Sequence, residues 1–169
     1  MNKIALTAFS IVAGMALTGQ AMVSQVPQIR WTFYRNDVLA FQIKVPAAWQ
    51  VRPNDKAVGF TSPARGAFHA AIGVLRSAEP NLTIEQAARK EFESEGSPGD
   101  WQQSYARVGG MRAIKIVKDT TNKPNTKMVE YYIEGPSGAY LLQCIGPQDH
   151  WALYSPLFAT MLNTFQFLN

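Results

Sequence analysis

Short segments of alternating apolar and polar residues make up most of this chain, and turns rich in glycine, proline and asparagine separate them. In one such segment Phe41, Ile43 and Val45 alternate with polar residues, which is typical of a strand with one buried face. Two segments with helical periodicity do not alternate regularly with the strands, which excludes the βαβ pattern of a parallel sheet. The chain is therefore predicted to form an α+β domain built on antiparallel strands.

Local patterns place the two helices and one tight turn. A helix is expected at Thr83–Glu95, because Thr83 and Gln86 have the spacing of a capping box. A second helix is expected to begin at Ser155–Pro156, where a capping hydroxyl precedes a proline at the first helical position. The adjacent glycines Gly109–Gly110 predict a hairpin turn, since they readily adopt positive φ. The predicted strands are Trp31–Tyr34, Leu39–Val45, Trp49–Arg52, Val58–Thr61, Phe68–Leu75, Gln102–Val108, Met111–Val117, Met128–Glu134, Ala139–Ile145 and Phe165–Phe167.

The N-terminus has the pattern of an export signal. Lys3 precedes the apolar run Ile4–Leu17, and Gly19–Ala21 forms the small-x-small pattern that a signal peptidase recognises. The run of about 14 residues is shorter than the ~20 that a membrane span needs, which favours cleavage over a retained anchor. We therefore expect residues 1–21 to be a cleaved signal peptide, residues 22–30 a flexible lead-in and residues 31–169 a single domain. The mature protein is expected to be exported to the periplasm.

Composition limits the remaining functions. The formal net charge is +4 and falls to +3 without Lys3, which is weaker than the concentrated positive charge of most nucleic-acid-binding proteins. Cys144 is the single cysteine, so an intrachain disulfide cannot form. Stability must then come from the hydrophobic core. We expect no nucleic-acid partner and a monomeric protein.

Three segments follow one another in the order seen in the PsbP-like family, which this chain resembles. In Phe41–Trp49 an apolar strand runs into a proline and a tryptophan, and Gly135–Leu142 is a hairpin that presents a tyrosine. In Phe158–Phe167 the last helix gives way to a strand with two aromatic residues. The resemblance covers Trp31 to Phe167. It implies an antiparallel β-sheet flanked by α-helices on both faces, an α/β/α sandwich, and a non-catalytic role. We expect no cofactor. The family includes an extrinsic subunit of photosystem II and bacterial envelope proteins.

This chain departs from both groups of relatives, because it carries a direct bacterial-type signal and has Met22 where a lipoprotein would carry a cysteine. The predicted function is that of an exported, non-catalytic binding or accessory protein of the bacterial envelope, which docks to a protein or membrane assembly. A photosystem II extrinsic subunit is the alternative if the source organism is photosynthetic.

Two groups of residues are candidates for a binding surface. The densest basic stretch could dock an acidic partner or an anionic membrane surface, although lysines on strand edges also prevent edge-to-edge pairing. The second group consists of aromatic residues that could line a cleft between the last helix and the sheet and hold an apolar ligand. The basic residues are Arg112, Lys115, Lys118, Lys123 and Lys127, and the aromatic residues are Tyr140, Trp151 and Tyr154.

Catalytic and metal-binding alternatives depend on few residues. Cys144 and His150 could form a thiol nucleophile and its base in a small hydrolase or thiol enzyme, but a buried structural cysteine explains the same pattern. Ser137 lies in a Gly-Pro-Ser-Gly turn between strands, which differs from the strand-to-helix turn of a nucleophile elbow. The possible metal ligands lack a strong spacing, so no metal site is predicted. They are His69, His150, Asp149, Glu91, Glu93 and Glu95.

Overall fold

The structure, a computed structural model, describes residues 28–64, 69–77, 79, 81–94, 101–119 and 125–168. The predicted leader 1–21, residues 22–27 of the lead-in and Lys123 lie outside these residues. The fold is an antiparallel, sheet-rich α+β fold with two helices, as predicted. Its elements are β1 (Trp31–Asn36), β2 (Phe41–Pro46), β3 (Gln50–Pro53), β4 (Ala57–Thr61), β5 (Ala71–Arg76), α1 (Ile84–Ser94), β6 (Gln102–Val108), β7 (Met111–Asp119), β8 (Thr126–Gly135), β9 (Gly138–Pro147), α2 (Trp151–Thr164) and β10 (Gln166–Phe167).

The described strands form two sheets, whereas the family resemblance implies one. Seven strands pair in the order β3-β4-β5-β9-β8-β7-β6, and a smaller sheet has the order β1-β2-β10. The break lies between β2 and β3, where Pro46 ends the strand and its carbonyl accepts a hydrogen bond from the Trp49 N–H at 3.0 Å. This turn sends β3 away from β2, because a proline cannot donate to a ladder.

Both helices are present, and one begins earlier than predicted. The capping box of α1 is confirmed: the Thr83 N–H donates to Gln86 Oε1 at 2.9 Å and the Gln86 N–H donates to Thr83 Oγ1 at 3.2 Å. The prediction that α2 begins at Ser155 is wrong, since it begins at Trp151 and contains Pro156. The extra turn packs an aromatic ring, because Trp151 lies 5.4 Å from Phe158 between ring centroids. Neither described helix combines the length and apolar character of a membrane span.

Two hydrophobic clusters use alternate residues of the same strands. Ile114 and Ile116 of β7 belong to a small cluster that includes Ile84 of α1. Ala113 and Val117 belong to the larger cluster that includes α2 and the small sheet. Both sides of β7 therefore pack against other parts of the chain, which leaves few of its positions free to face solvent.

The hairpin between β6 and β7 contains a close backbone approach. Gly109 and Gly110 have φ of +56° and +83°, the positive values that the paired glycines predict. The Gly109 N–H donates to the Leu162 carbonyl at 2.8 Å. A Cβ atom on Gly109 would lie 1.8 Å from the Phe165 carbonyl oxygen, while one on Gly110 would have no atom within 4 Å. The hairpin can therefore contact the end of α2 only with glycine at position 109.

We expect Gly109→Ala to destabilise the protein by at least ~3 kcal/mol, because it adds a backbone clash to the cost of positive φ. Gly110→Ala is the matched control and should lower the free energy of unfolding by only ~1–2 kcal/mol, because it has the cost of positive φ without a backbone clash. Urea unfolding of both variants measures the difference. Equal losses would show that the approach to Phe165 does not constrain the fold.

Candidate functional site

A groove lies between α2 and the strands β7 and β8, and we call it the lysine groove. Its volume is about 180 Å³. Lys115 of β7 and Lys127 of β8 supply its positive charge, while valine, phenylalanine and leucine side chains supply apolar surface. The lining residues are Lys115, Val117, Lys127, Val129, Tyr131, Cys144, Trp151, Ser155, Phe158, Ala159 and Leu162.

The strand pleat explains why these residues meet. Lys115 pairs with Tyr131 and Val117 pairs with Val129 in the β7–β8 register, and directly paired residues share one face of a sheet. Lys127 lies two residues before Val129 and belongs to the same face. The alternation therefore gathers both lysines on the side of the sheet that α2 covers.

Two lysines are the charged residues of the groove lining. None of its lining residues is acidic. Within the described part of the chain, neither Lys115 nor Lys127 forms an ion pair. The Lys127 ammonium lies 5.6 Å from the centroid of the half-buried Trp151 ring, within the range of a cation–π contact. Two lysines without a carboxylate partner, beside an aromatic ring, can bind an anionic group.

Tyr131 adds a neutral phenol to the groove wall. Burial disfavours the phenolate and raises the pKa of Tyr131 to about 12, and the Cys144 thiol adds a smaller effect in the same direction. Tyr131 therefore stays protonated at physiological pH, and its hydroxyl can donate a hydrogen bond.

The other predicted basic residues do not join this groove. Lys118 is only 2% exposed, so the prediction that it contributes to a basic surface is wrong. Its ammonium lies 3.0 Å from Glu130 Oε2 and 2.9 Å from Glu91 Oε1, and 4.2 Å from the centroid of the Trp101 ring. Lys118 alternates with Val117 along β7, and this alternation directs it toward α1. The five residues therefore do not form one surface.

Arg112 also lies on the α1 side of β7. Its guanidinium donates to Glu85 Oε1 at 2.8 Å and lies 4.8 Å from the centroid of the Tyr105 ring. A hydrogen bond with Tyr105 raises the pKa of Arg112. Some desolvation acts against this rise, and the Glu85 carboxylate adds to it. The positive charge of Arg112 is thus already paired.

Lys118 belongs to a buried polar network that was not predicted from the sequence. Glu130 is fully buried, and it accepts hydrogen bonds from the Tyr132 hydroxyl at 3.0 Å and from Gln143 Nε2 at 2.8 Å. Its carboxylate thus has three partners, which compensates for its burial. The signal was present in the sequence, since Lys118 follows Ile114 and Ile116 at a spacing of two residues on a face that must be buried.

The three aromatic residues predicted to line one cleft do not border a common cavity among the described residues. Tyr140 is buried, and its hydroxyl donates to the Leu39 carbonyl at 3.1 Å. Trp151 lines the lysine groove, whereas Tyr154 borders a separate cavity of about 600 Å³ together with Trp49. Only Trp151 remains part of the candidate site.

The thiol and histidine candidates are not arranged for catalysis. Cys144 is 1% exposed, and burial raises the pKa of its thiol, so the reactive thiolate is disfavoured. His150 is exposed at the start of α2. The thiol is buried whereas the imidazole is exposed, which favours a structural role for Cys144. Ser137 is an exposed residue of the β8–β9 hairpin turn.

The possible metal ligands are dispersed. His69 lies 3.0 Å from the Ser62 carbonyl, Asp149 accepts a hydrogen bond from Asn125 Nδ2 at 2.7 Å, and Glu91 binds Lys118. Among the residues that the structure describes, no three His, Cys, Asp or Glu side chains come together to hold a metal ion. Glu93 is exposed on α1, and Glu95 lies outside the described residues.

Comparison with solved structures defines the fold. Cyanobacterial PsbP (CyanoP) from Synechocystis sp. PCC 6803 matches with a TM-score of 0.58 and 12% sequence identity, over 85% of this chain and 95% of that chain. LpqN of Mycobacterium tuberculosis, described as involved in cell envelope biogenesis, matches with a TM-score of 0.53 and 16% identity, over 83% and 92% of the two chains. This chain has the PsbP-like fold.

A third match is the Pseudomonas aeruginosa protein PA94, described as a protein of unknown function and putative regulator. Its TM-score is 0.51 and its identity 16%, over 79% of this chain and 94% of that chain. No family model matches the sequence, and no curated protein matches it significantly. The PsbP-like resemblance inferred from the three segments is confirmed at the level of the fold.

We expect Lys118→Met to lower the free energy of unfolding by ~3–5 kcal/mol, because it leaves the Glu130 carboxylate buried without its cation. Adding Glu130→Gln should restore most of the loss, since a neutral amide can accept from Gln143 through its oxygen and donate to the Tyr132 hydroxyl through its amino group. Lys115→Met is the matched control and should stay within ~0.5 kcal/mol of the wild type. Urea unfolding measures all three variants, and a failure of the double variant to recover stability would contradict the ion-pair account.

Alkaline pH should destabilise the protein partly through Tyr131. The pKa in the folded state lies above the ordinary value of 10.0, so this contribution is complete below about pH 10 and is lost as pH rises toward about 12. The variant Tyr131→Phe should therefore lose less stability than the wild type across this interval. Denaturant unfolding at a series of pH values measures it, and parallel curves for the two proteins would exclude a perturbed phenol.

Proposed function

We propose that this protein is an exported, non-catalytic accessory protein of the bacterial envelope, and that it docks a protein partner through the lysine groove. The observation that carries the proposal is the pair Lys115 and Lys127, two lysines without an ion pair in the described chain, at the rim of a groove with an apolar floor. Such a groove complements an amphipathic segment with a carboxylate side chain.

The size of the groove favours a protein side chain over a free small molecule. Its volume of about 180 Å³ lies below the ~300–1,000 Å³ of most small-molecule sites. An acidic side chain of a partner could place its carboxylate between the ammonium groups while its methylene groups contact Val117 and Val129. The partner's own surface would provide the rest of the interface.

The structural relatives support an accessory role in the envelope. LpqN is described as involved in cell envelope biogenesis, and its fold is shared along most of both chains. The burial of Cys144 further favours binding over thiol catalysis. The sequence-based leader 1–21 supports export, which would bring the domain to envelope partners.

A layered arrangement accompanies this proposal. Ile114 and Ile116 contact the α1 cluster, while Ala113 and Val117 contact the α2 cluster. Since successive strand residues point to opposite faces, we infer that α1 and α2 cover opposite faces of the large sheet, as in the α/β/α sandwich expected from the family resemblance. The lysine groove would then lie at the boundary of one outer layer.

Site-specific photo-crosslinking in the native cells tests the docking proposal. A photoreactive amino acid replaces Ala159, which is exposed on α2 at the edge of the groove. We expect one main protein adduct, and mass spectrometry should place an Asp or Glu in the crosslinked partner peptide. The double variant Lys115→Glu/Lys127→Glu should lose the adduct, because it reverses the charge of the groove.

The control Arg52→Glu/Lys56→Glu changes the net charge equally on exposed residues away from the groove, and it should retain the adduct. An adduct that is absent, or equally weakened by both double variants, would exclude the groove as the docking site. Binding to phosphatidylglycerol vesicles but not to phosphatidylcholine vesicles, abolished by the groove variant, would replace the protein partner with an anionic membrane surface.

A further inference from the structure

One edge of the large sheet lacks the usual protection against pairing. Among the strands that the structure describes, β6 pairs with β7 alone, and Gln102–Tyr105 are exposed. Natural edge strands commonly carry lysine, proline, inward-pointing charges or bulges that prevent pairing with another chain. The one charged residue of β6, Arg107, lies next to the turn, and its guanidinium donates to the Gly110 carbonyl at 2.7 Å. Residues Gln102–Ala106 contain neither a charged residue nor a proline. This edge is therefore available to receive another strand.

The opposite edge is different. The strand β3 has only four residues, and it includes Arg52 and Pro53. A short strand with a charge and a proline is poorly suited to strand addition. Pairing through β6 would therefore not continue into an open series of sheets.

The β6–β7 hairpin identifies the backbone groups that face outward. Val108 pairs with Met111 across the two-residue turn, and the closing pair of such a hairpin is hydrogen-bonded. Hydrogen-bonded and non-hydrogen-bonded pairs alternate, so Gln103, Tyr105 and Arg107 direct their N–H and C=O groups away from β7. Within the described residues, these three backbones make no hydrogen bond to another element.

Tyr105 forms a fixed aromatic surface at the centre of this edge. It is 68% exposed, and the Arg112 guanidinium stacks on its ring. Glu85 of α1 holds Arg112 in turn. Tyrosine and arginine are enriched at the energetic centres of interfaces, and a ring already held in place loses little entropy on binding.

We propose that β6 pairs antiparallel with β6 of a second copy, with the two-fold axis at Tyr105. In this register Gln103 of each copy lies opposite Arg107 of the partner subunit. The outward backbone groups of both strands are then hydrogen-bonded. No like charges face each other, which makes the strand complementary to itself. The lysine groove stays open, because Tyr105 pairs with Ile114 on the other face of β7 from Lys115.

This assembly differs from the monomer expected from the sequence, and it does not depend on the proposed function. Its test uses the protein expressed from its complete sequence and purified in its natural processed form. Analytical ultracentrifugation from micromolar to millimolar concentration should show the mass doubling. Tyr105→Lys should raise the dimer dissociation constant by about tenfold or more, since it adds facing cations on the two-fold axis. Phe33→Lys is the matched control, because Phe33 is similarly exposed on β1, and it should leave the dissociation constant unchanged.

Cysteine crosslinking tests the register and remains informative if Tyr105→Lys fails to fold. Tyr105→Cys places two thiols at the axis, and oxidation by copper-phenanthroline should convert them to an intersubunit disulfide. Arg107→Cys faces Gln103 of the partner subunit and should not crosslink to its own copy. A wild type that stays monomeric at the highest concentration, a dimer that survives Tyr105→Lys, or equal crosslinking of both cysteine variants would each overturn the proposal.

Discussion

The ammonium group of Lys118 connects α1 to the sheet, and the arrangement of residues at the β6 edge depends on this connection. Lys118 extends from β7 to Glu91 of α1 and to the buried Glu130 of β8. A buried ion pair contributes little net stability compared with apolar packing, but its geometry is demanding. The interaction therefore fixes where α1 lies more than it strengthens the fold. Desolvation lowers the pKa of Lys118, but hydrogen bonds and Coulombic attraction from Glu91 and Glu130 outweigh this effect and give a net rise. The lysine therefore stays charged in the interior.

The position of α1 then determines the β6 edge. With α1 held over β7, Glu85 at its N-terminal end reaches Arg112, and Arg112 stacks on Tyr105. A single strand thus carries the lysine that anchors the helix and the arginine that orients an exposed aromatic ring. On the opposite face, the same strand places Lys115 beside α2. The pleat of β7 separates a buried, paired cation from a cation that forms no ion pair within the described residues.

Most of the architecture could be predicted from the sequence because local patterns are strong. The capping box of Thr83 and Gln86 and the paired glycines of the β6–β7 hairpin each adopt the expected geometry. The start of α2 could not be predicted in this way, since Pro156 normally marks a first turn and the packing of Trp151 on Phe158 extends the helix instead. The division into two sheets also depends on long-range contacts, which a local pattern does not contain.

The candidate site was harder to predict, because a run of basic residues does not say which face each one occupies. Period-two alternation separates Lys115 from Arg112 and Lys118, and the partners Glu85, Glu91 and Glu130 come from parts of the chain that the basic run does not include. Among the cations in this run that the structure describes, Lys115 and Lys127 are the ones left without a carboxylate. In β7, the basic residues that share a face with the buried isoleucines are paired with carboxylates, whereas Lys115 on the other face forms no ion pair within the described residues. The charge of the whole segment is therefore a poor guide to binding, whereas the charge of one face is a useful one.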